Sequence, residues 1–185
     1  MLPPGHIAAG FLTAKAYINI VHPNVTTHQS TALLWLGAFF GFAPDIDMFY
    51  AFSRVGALKV DNSKSEHRRF ITHRPVVWLV AGLLIAAVGA SIHDSFVISI
   101  GMLSWLCSWS HFVLDSVANG IEWLWPFSNK LYGFNDIQIH PKLKRDTFMD
   151  YWIGFVKAHF AESQIVGSFE IALLITAFLV LILRY

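Results

Sequence analysis

Two stretches of this chain, Val76 to Ile92 and Phe96 to Leu114, contain no Asp, Glu, Lys or Arg. Each approaches the roughly 20 apolar residues that carry a helix across a bilayer. Pro75 suits the first turn of the earlier stretch, and His93-Asp94-Ser95 is too short for anything but a tight reversal between antiparallel helices. A helical hairpin in lipid is therefore the first expectation. Gln164 to Leu183 carries one charge, Glu170, and gives a further span. Ser30 to Ala43 is apolar but short, ending at Pro44-Asp45-Ile46-Asp47 before Met48 to Phe52 resumes the pattern. His6 to Val21 completes the set, although Lys15, about 14 Å along the axis from His6, must snorkel or face protein.

Composition agrees with this reading. Hydrophobic residues make up 55% of the 185 and charged residues 14%, against the roughly 25% charged of a soluble domain. The expected fold is all-α, a polytopic membrane bundle of about four to five embedded helices with an interfacial helical segment. We expect a single integral membrane domain over 1–185, with a metal-site helical core at 1–128, an interfacial aromatic segment at 129–163 and a C-terminal membrane helix at 164–185. The formal net charge of +1 leaves no dense basic stripe, which argues against a nucleic-acid partner. Cys107 lies in an apolar run, can form no internal disulfide, and reads as core packing. Met1 to Gly5 lacks a basic region, so His6 onward reads as mature sequence.

Lys and Arg set the orientation, because they collect in cytoplasmic loops. Arg54, Lys59, Lys64, Arg68, Arg69 and Arg74 lie between the second and third spans, and Lys130, Lys142, Lys144, Arg145 and Lys157 follow the fourth. Val21 to Ser30 and His93 to Ser95 carry none, as expected of the outer side. Between Asn119 and Ser163 the chain is rich in aromatic residues, including Trp123, Trp125, Phe127, Tyr132 and Phe134. Within it, Asp146 to Glu162 has Phe148, Trp152, Phe155, Val156 and Phe160 on one helical face and Asp150 and Lys157 turned away. An interfacial helix and an ordinary packing helix fit that periodicity equally.

On this topology seven ionisable groups share the cytoplasmic side. His6 opens the first helix, Asp45 and Asp47 close the second, His67 and His73 precede the third, and His111 and Asp115 end the fourth. His22, His28, His93 and Asp94 fall on the other side. His111 and Asp115 stand one helical turn apart, so both can reach one ion. Asp45-Ile46-Asp47 can aim two carboxylates together only at a helix end, which Pro44 supplies, and His67 and His73 meet only if the chain turns near Phe70 or Thr72. Imidazole with carboxylate suits zinc first, then manganese or iron, as one or two ions. Surplus residues would orient ligands or accept a proton, with Asp45 or Asp47 preferred. Arg68 or Arg69 could hold a phosphate, or simply be part of the positive-inside signal. Taken singly, each His or Asp is more often a cap or a charge partner than a ligand; ionisable groups facing a bundle interior are a different matter.

The motifs Gly5-His6-Ile7-Ala8-Ala9-Gly10, Pro44-Asp45-Ile46-Asp47, His67-Arg68-x-x-x-Thr72-His73, His111-x-x-x-Asp115-Ser116, and Gly120-Ile121 leading to Trp125-Pro126-Phe127-Ser128 follow one another in order. Together they resemble the YdjM-like family of membrane-bound, metal-dependent hydrolases, over His6 to about Ser128. The resemblance implies a multi-pass inner-membrane protein with His6, Asp45, Asp47, His67, His73, His111 and Asp115 as metal ligands. Met48 stands where such proteins commonly carry a His. The activity expected is hydrolysis of an ester or phosphoester by metal-activated water, with Asp45, Asp47 and Arg68 as catalytic candidates and a lipid or lipid-linked substrate. Two alternatives use the same cluster differently: a metal or cation transporter with the cluster as its vestibule, and a scaffold without ligand. Transport sites usually lie near the bilayer midplane, which ranks the transporter second.

Overall fold

A computed structural model describes residues 1–47, 70–118, 120–134, 148–162 and 164–183. Most of these residues are helical, with no strand among them beyond one antiparallel bridge between Ile121 and Tyr132. In chain order the helices are α1 (Pro3–Val21), α2 (Thr27–Phe42), α3 (Pro75–Ser91), α4 (Ser95–Ala118), α5 (Phe148–Glu162) and α6 (Gln164–Ile182). Short 3-10 turns at Ala43–Ile46 and Ile71–His73 lie at the end of α2 and before α3.

Local chemistry sets these boundaries. Pro3 and Pro4 occupy the first turn of α1, where a missing N–H costs nothing. Thr26 and Gln29 form a reciprocal capping box at the start of α2. Asp94 Oδ1 accepts from the amides of Phe96 and Val97 and so starts α4. Ser95–Val117 is long and apolar enough to cross a membrane, and it is the one described helix that is; Pro75–Ser91 and Val166–Ile182 are apolar but shorter. The expected hairpin, second helix and C-terminal helix are present as helices within a few residues of their expected limits.

The bundle is built on two close crossings. α1 lies against α2 so tightly that a Cβ at Gly10 would sit 2.2 Å from Gly37 O, and one at Gly41 2.4 Å from His6 O. Backbones this close require glycine, the small-residue packing that joins helices where apolar burial supplies no drive. α3 and α4 make the second crossing through Gly82 and Gly101. Between them Phe11, Ala14, Tyr17, Leu33, Leu34, Ala38, Leu103 and Cys107 form the core, and Tyr17 donates to Ser99 inside it. Cys107 is fully buried with its Sγ toward Gly10 O.

Beyond α4 the chain folds back over the helix end. Ile121 and Tyr132 exchange backbone hydrogen bonds, Phe134 N–H donates to Ser116 O, and Trp123 Nε1 donates to Ser116 Oγ. Ile121 and Glu122 are buried by this fold, while Phe127 and Phe134 stay exposed. Met149, Ile153 and Val156 of α5 are exposed too, yet its last turn packs on α6, where Phe160 covers Gly167.

Candidate metal centre

The first helix carries His6 at its opening turn, and the close crossing holds that turn beside the end of α2. There Pro44 forces the 3-10 turn that presents Asp45 and Asp47. A second 3-10 turn brings His73 opposite, and the last turns of α4 supply His111 and Asp115. All six side chains are buried. A 3-10 turn lies at Ile71–His73, near the turn expected at Phe70 or Thr72, but the meeting of His67 with His73 that it was expected to allow is not seen, because His67, like Arg68, Arg69 and Met48, lies outside the described residues.

Five of the six converge. His6 Nε2 lies 3.2 Å from Asp115 Oδ1, and His111 Nε2 lies 3.6 Å from Asp115 Oδ2 and 3.7 Å from Asp45 Oδ1. His73 Nε2 is 3.5 Å from the same Asp45 oxygen. The rings of His6 and His111 stack with centroids 3.8 Å apart. Among the described residues, His6, Asp45 and His111 form one group able to hold a metal ion, and His73, His111 and Asp115 form another; His111 is common to both. The α-amino group of Met1 also reaches Asp115 Oδ1, at 3.1 Å.

The longer of these spacings, 3.5 to 3.7 Å, are stretched for hydrogen bonds and suit ligands of a shared ion. Donor atoms each 2.0–2.1 Å from a tetrahedral zinc stand about 3.3 Å from one another, close to the separations here. His111 Nε2 is buried with no hydrogen-bond partner, although two carboxylates flank it. Its other nitrogen, Nδ1, lies 2.9 Å from Gly41 O. A carbonyl can only accept, so Nδ1 carries the proton and the Nε2 of the neutral ring offers a lone pair to the centre. A buried atom prepared to donate electrons and given nothing to donate them to fits a cation.

Asp47 stands apart from the five. Its Oδ2 lies 2.7 Å from His73 Nδ1 and also accepts from Thr72 Oγ1, so it grips His73 on the side away from Asp45. Asp45 and Asp47 thus meet the two nitrogens of one imidazole. Burial works to lower the pKa of His73, but the carboxylates of Asp45 and Asp47 beside it outweigh this and raise it to about 9. For Asp45, burial works upward and the imidazoles around it hold it down to about 2, with the cationic His73 the partner that carries the charge, His111 being neutral.

Three buried ionisable groups outside this cluster were not singled out by sequence reasoning as site residues. Glu122 is buried and accepts from Arg74 Nε at 3.3 Å, with the Arg74 guanidinium 4.3 Å over the Trp125 ring. Glu170 and His159 pair at 2.7 Å where α5 meets α6, and Glu170 also accepts from the Leu2 amide. A carboxylate in an otherwise uncharged apolar span is costly without a partner, and that was the available signal for Glu170.

Residues 1–185, the whole chain, match the family described as YdjM inner membrane protein. No curated protein and no solved structure matches the chain.

Proposed function

The chain belongs to the YdjM inner membrane protein family, and from that premise we propose a multi-pass, metal-dependent hydrolase whose site opens at the cytoplasmic face. The observation that carries the reading is His111 Nε2, buried without a hydrogen-bond partner between two carboxylates and held in the ligand tautomer by Gly41 O. In the proposal the ligands of one or two divalent ions, zinc before manganese or iron, are drawn from His6, Asp45, His73, His111 and Asp115, and His67 is a further candidate. A bound divalent ion would supply Lewis acidity and make water a nucleophile at neutral pH.

The residues divide the remaining work. Asp47 holds His73 in place through Nδ1, the carboxylate-imidazole arrangement that orients metal ligands. It is also the preferred proton acceptor, because Oδ1 is buried with no hydrogen-bond partner. Arg68 is proposed to hold a substrate phosphate, and the substrate to be an ester or phosphoester of a lipid or lipid-linked molecule, as placement at a membrane face suggests. The five ligands belong to the core at 1–128, with 129–163 and 164–185 supporting it.

Elemental analysis of the detergent-purified protein tests the reading. About one or two ions per chain are expected, falling to background in His111→Ala, together with loss of activity on an ester and phosphoester panel. Wild-type protein that takes up no divalent metal, or His111→Ala that retains it, overturns the proposal. Metal uptake into proteoliposomes with no hydrolysis would instead establish the transporter reading.

A further inference from the structure

α1 begins in an unusual way for the helix that carries a metal ligand. Its cap residue, Leu2, is extended, and Pro3 and Pro4 have no N–H to give. The amides of Gly5 and His6 both donate to Leu2 O, at 3.0 Å and 3.4 Å. His6 is therefore hung from Leu2. The N–H of Leu2 in turn donates to Glu170 Oε2, at 3.3 Å, across 168 residues of chain.

Glu170 is held as firmly as it holds. It is 1% exposed and His159 is 3% exposed, and His159 Nε2 lies 2.7 Å from the same Oε2. The other oxygen lies against the first turn of α1, since a Cβ at Gly5 would be only 2.8 Å from Oε1. Gly5 immediately precedes His6, so the carboxylate is packed against the backbone that sets the direction of that imidazole. A negative group at a helix N-terminus is also favoured by the peptide dipoles pointing toward it. Neither His159 nor Glu170 lies among the metal-centre residues.

We infer that Glu170, braced by His159, is a positioning residue for the metal centre: it fixes the first turn of α1 and so the aim of His6 at the ion. The inference rests on the proposed metal centre. It assigns the C-terminal helices a role in the chemistry of the N-terminal core, since α5 and α6 supply the brace. An ordinary buried pair joining α5 to α6 would leave the metal centre indifferent to its loss.

Zinc affinity of the full chain in detergent, measured by chelator competition, separates these. Glu170→Leu removes the acceptor for both Leu2 and His159 and should weaken zinc binding by about 10- to 100-fold, as loss of an orienting partner does. Glu170→Gln keeps an oxygen of the same shape and should recover most of that loss. Gly5→Ala, which touches no ligand, should weaken binding in the same sense by displacing the carboxylate. Asp94→Asn, at the opposite end of the bundle, is the stability control and should leave affinity unchanged. Wild type that binds zinc while Glu170→Leu and Gly5→Ala bind it as tightly overturns the inference alone; so does a loss that Glu170→Gln fails to recover. Wild type that binds no zinc overturns the metal centre and this inference with it.

Discussion

At the scale of single residues, what matters is which of two chemically alike groups does which job. Asp45 and Asp47 are two positions apart, yet only Asp45 lies within 4 Å of Nε2 of both His73 and His111, while Asp47 bonds His73 Nδ1. Asp47→Ala should therefore keep the ligand set and lower zinc affinity by about 10- to 100-fold, read by chelator competition. Protonation gives a second expectation. With its pKa raised to about 9, His73 stabilises the metal-free fold below its ordinary value of 6.5, and that contribution is lost as pH climbs through about 9. Asp45, lowered to about 2, contributes above 3.8 and loses its contribution only as pH falls through about 2. Chelator-treated protein should melt at progressively lower temperature between about pH 7 and about pH 9.5, and His73→Gln should flatten that slope. Zinc affinity should rise over the same interval, because a ligand nitrogen must shed its proton first. The sequence made the convergence of His6, Asp45, His73, His111 and Asp115 legible, since helix periodicity and positive-inside topology place residues by side and depth. It could not separate the two carboxylates, because rotamer and turn geometry at Pro44 decide that.

At the scale of helices, the proposed metal centre depends on how closely α1 and α2 approach. Gly41 is the sharpest case: a Cβ there would lie 2.4 Å from His6 O, and its own carbonyl fixes the tautomer of His111. Gly41→Ala should push the helices apart and cost about 1–3 kcal/mol, the usual range for overpacking. It should also reduce zinc binding, whereas Gly89→Ala at the far α3 and α4 contact should lower only the melting temperature. Detergent-phase melting and zinc titration on the same preparations check both. Helices were legible from apolar runs and their breaks, and Pro75 and Asp94 stand where the starts of α3 and α4 were expected. The helix crossings were not, because a glycine in an apolar run marks a close contact without naming its partner. Nor was the pairing of half-buried Arg74 with buried Glu122, whose positions lie 48 apart.

For the whole molecule, the proposed topology puts the turns at 22–26 and 92–94 outside and the fold-back at 120–134 inside. Single cysteines answer this directly, with the fully buried Cys107 left in place. Asn24→Cys and Ile92→Cys should react with a membrane-impermeant thiol reagent in intact cells, and Ser128→Cys only after lysis. Reaction of Ser128→Cys from outside would invert or break the proposed arrangement. The helical character was the most legible level, since apolar runs and their breaks marked helices; among the described helices only Ser95–Val117 is long and apolar enough to cross a bilayer. The support that α5 and α6 give to α1 was not legible, because no local pattern links Leu2 to Glu170. One more consequence follows from the ligands lying at positions 6, 45, 73, 111 and 115. On the proposed function, a chain emerging from the ribosome cannot complete this centre until α4 has been made, so an ion would be captured only once the segment carrying position 115 is in place. An ion captured then would fasten together segments that entered the bilayer at different times, and starving cells of metal should leave the newly made protein prone to proteolysis.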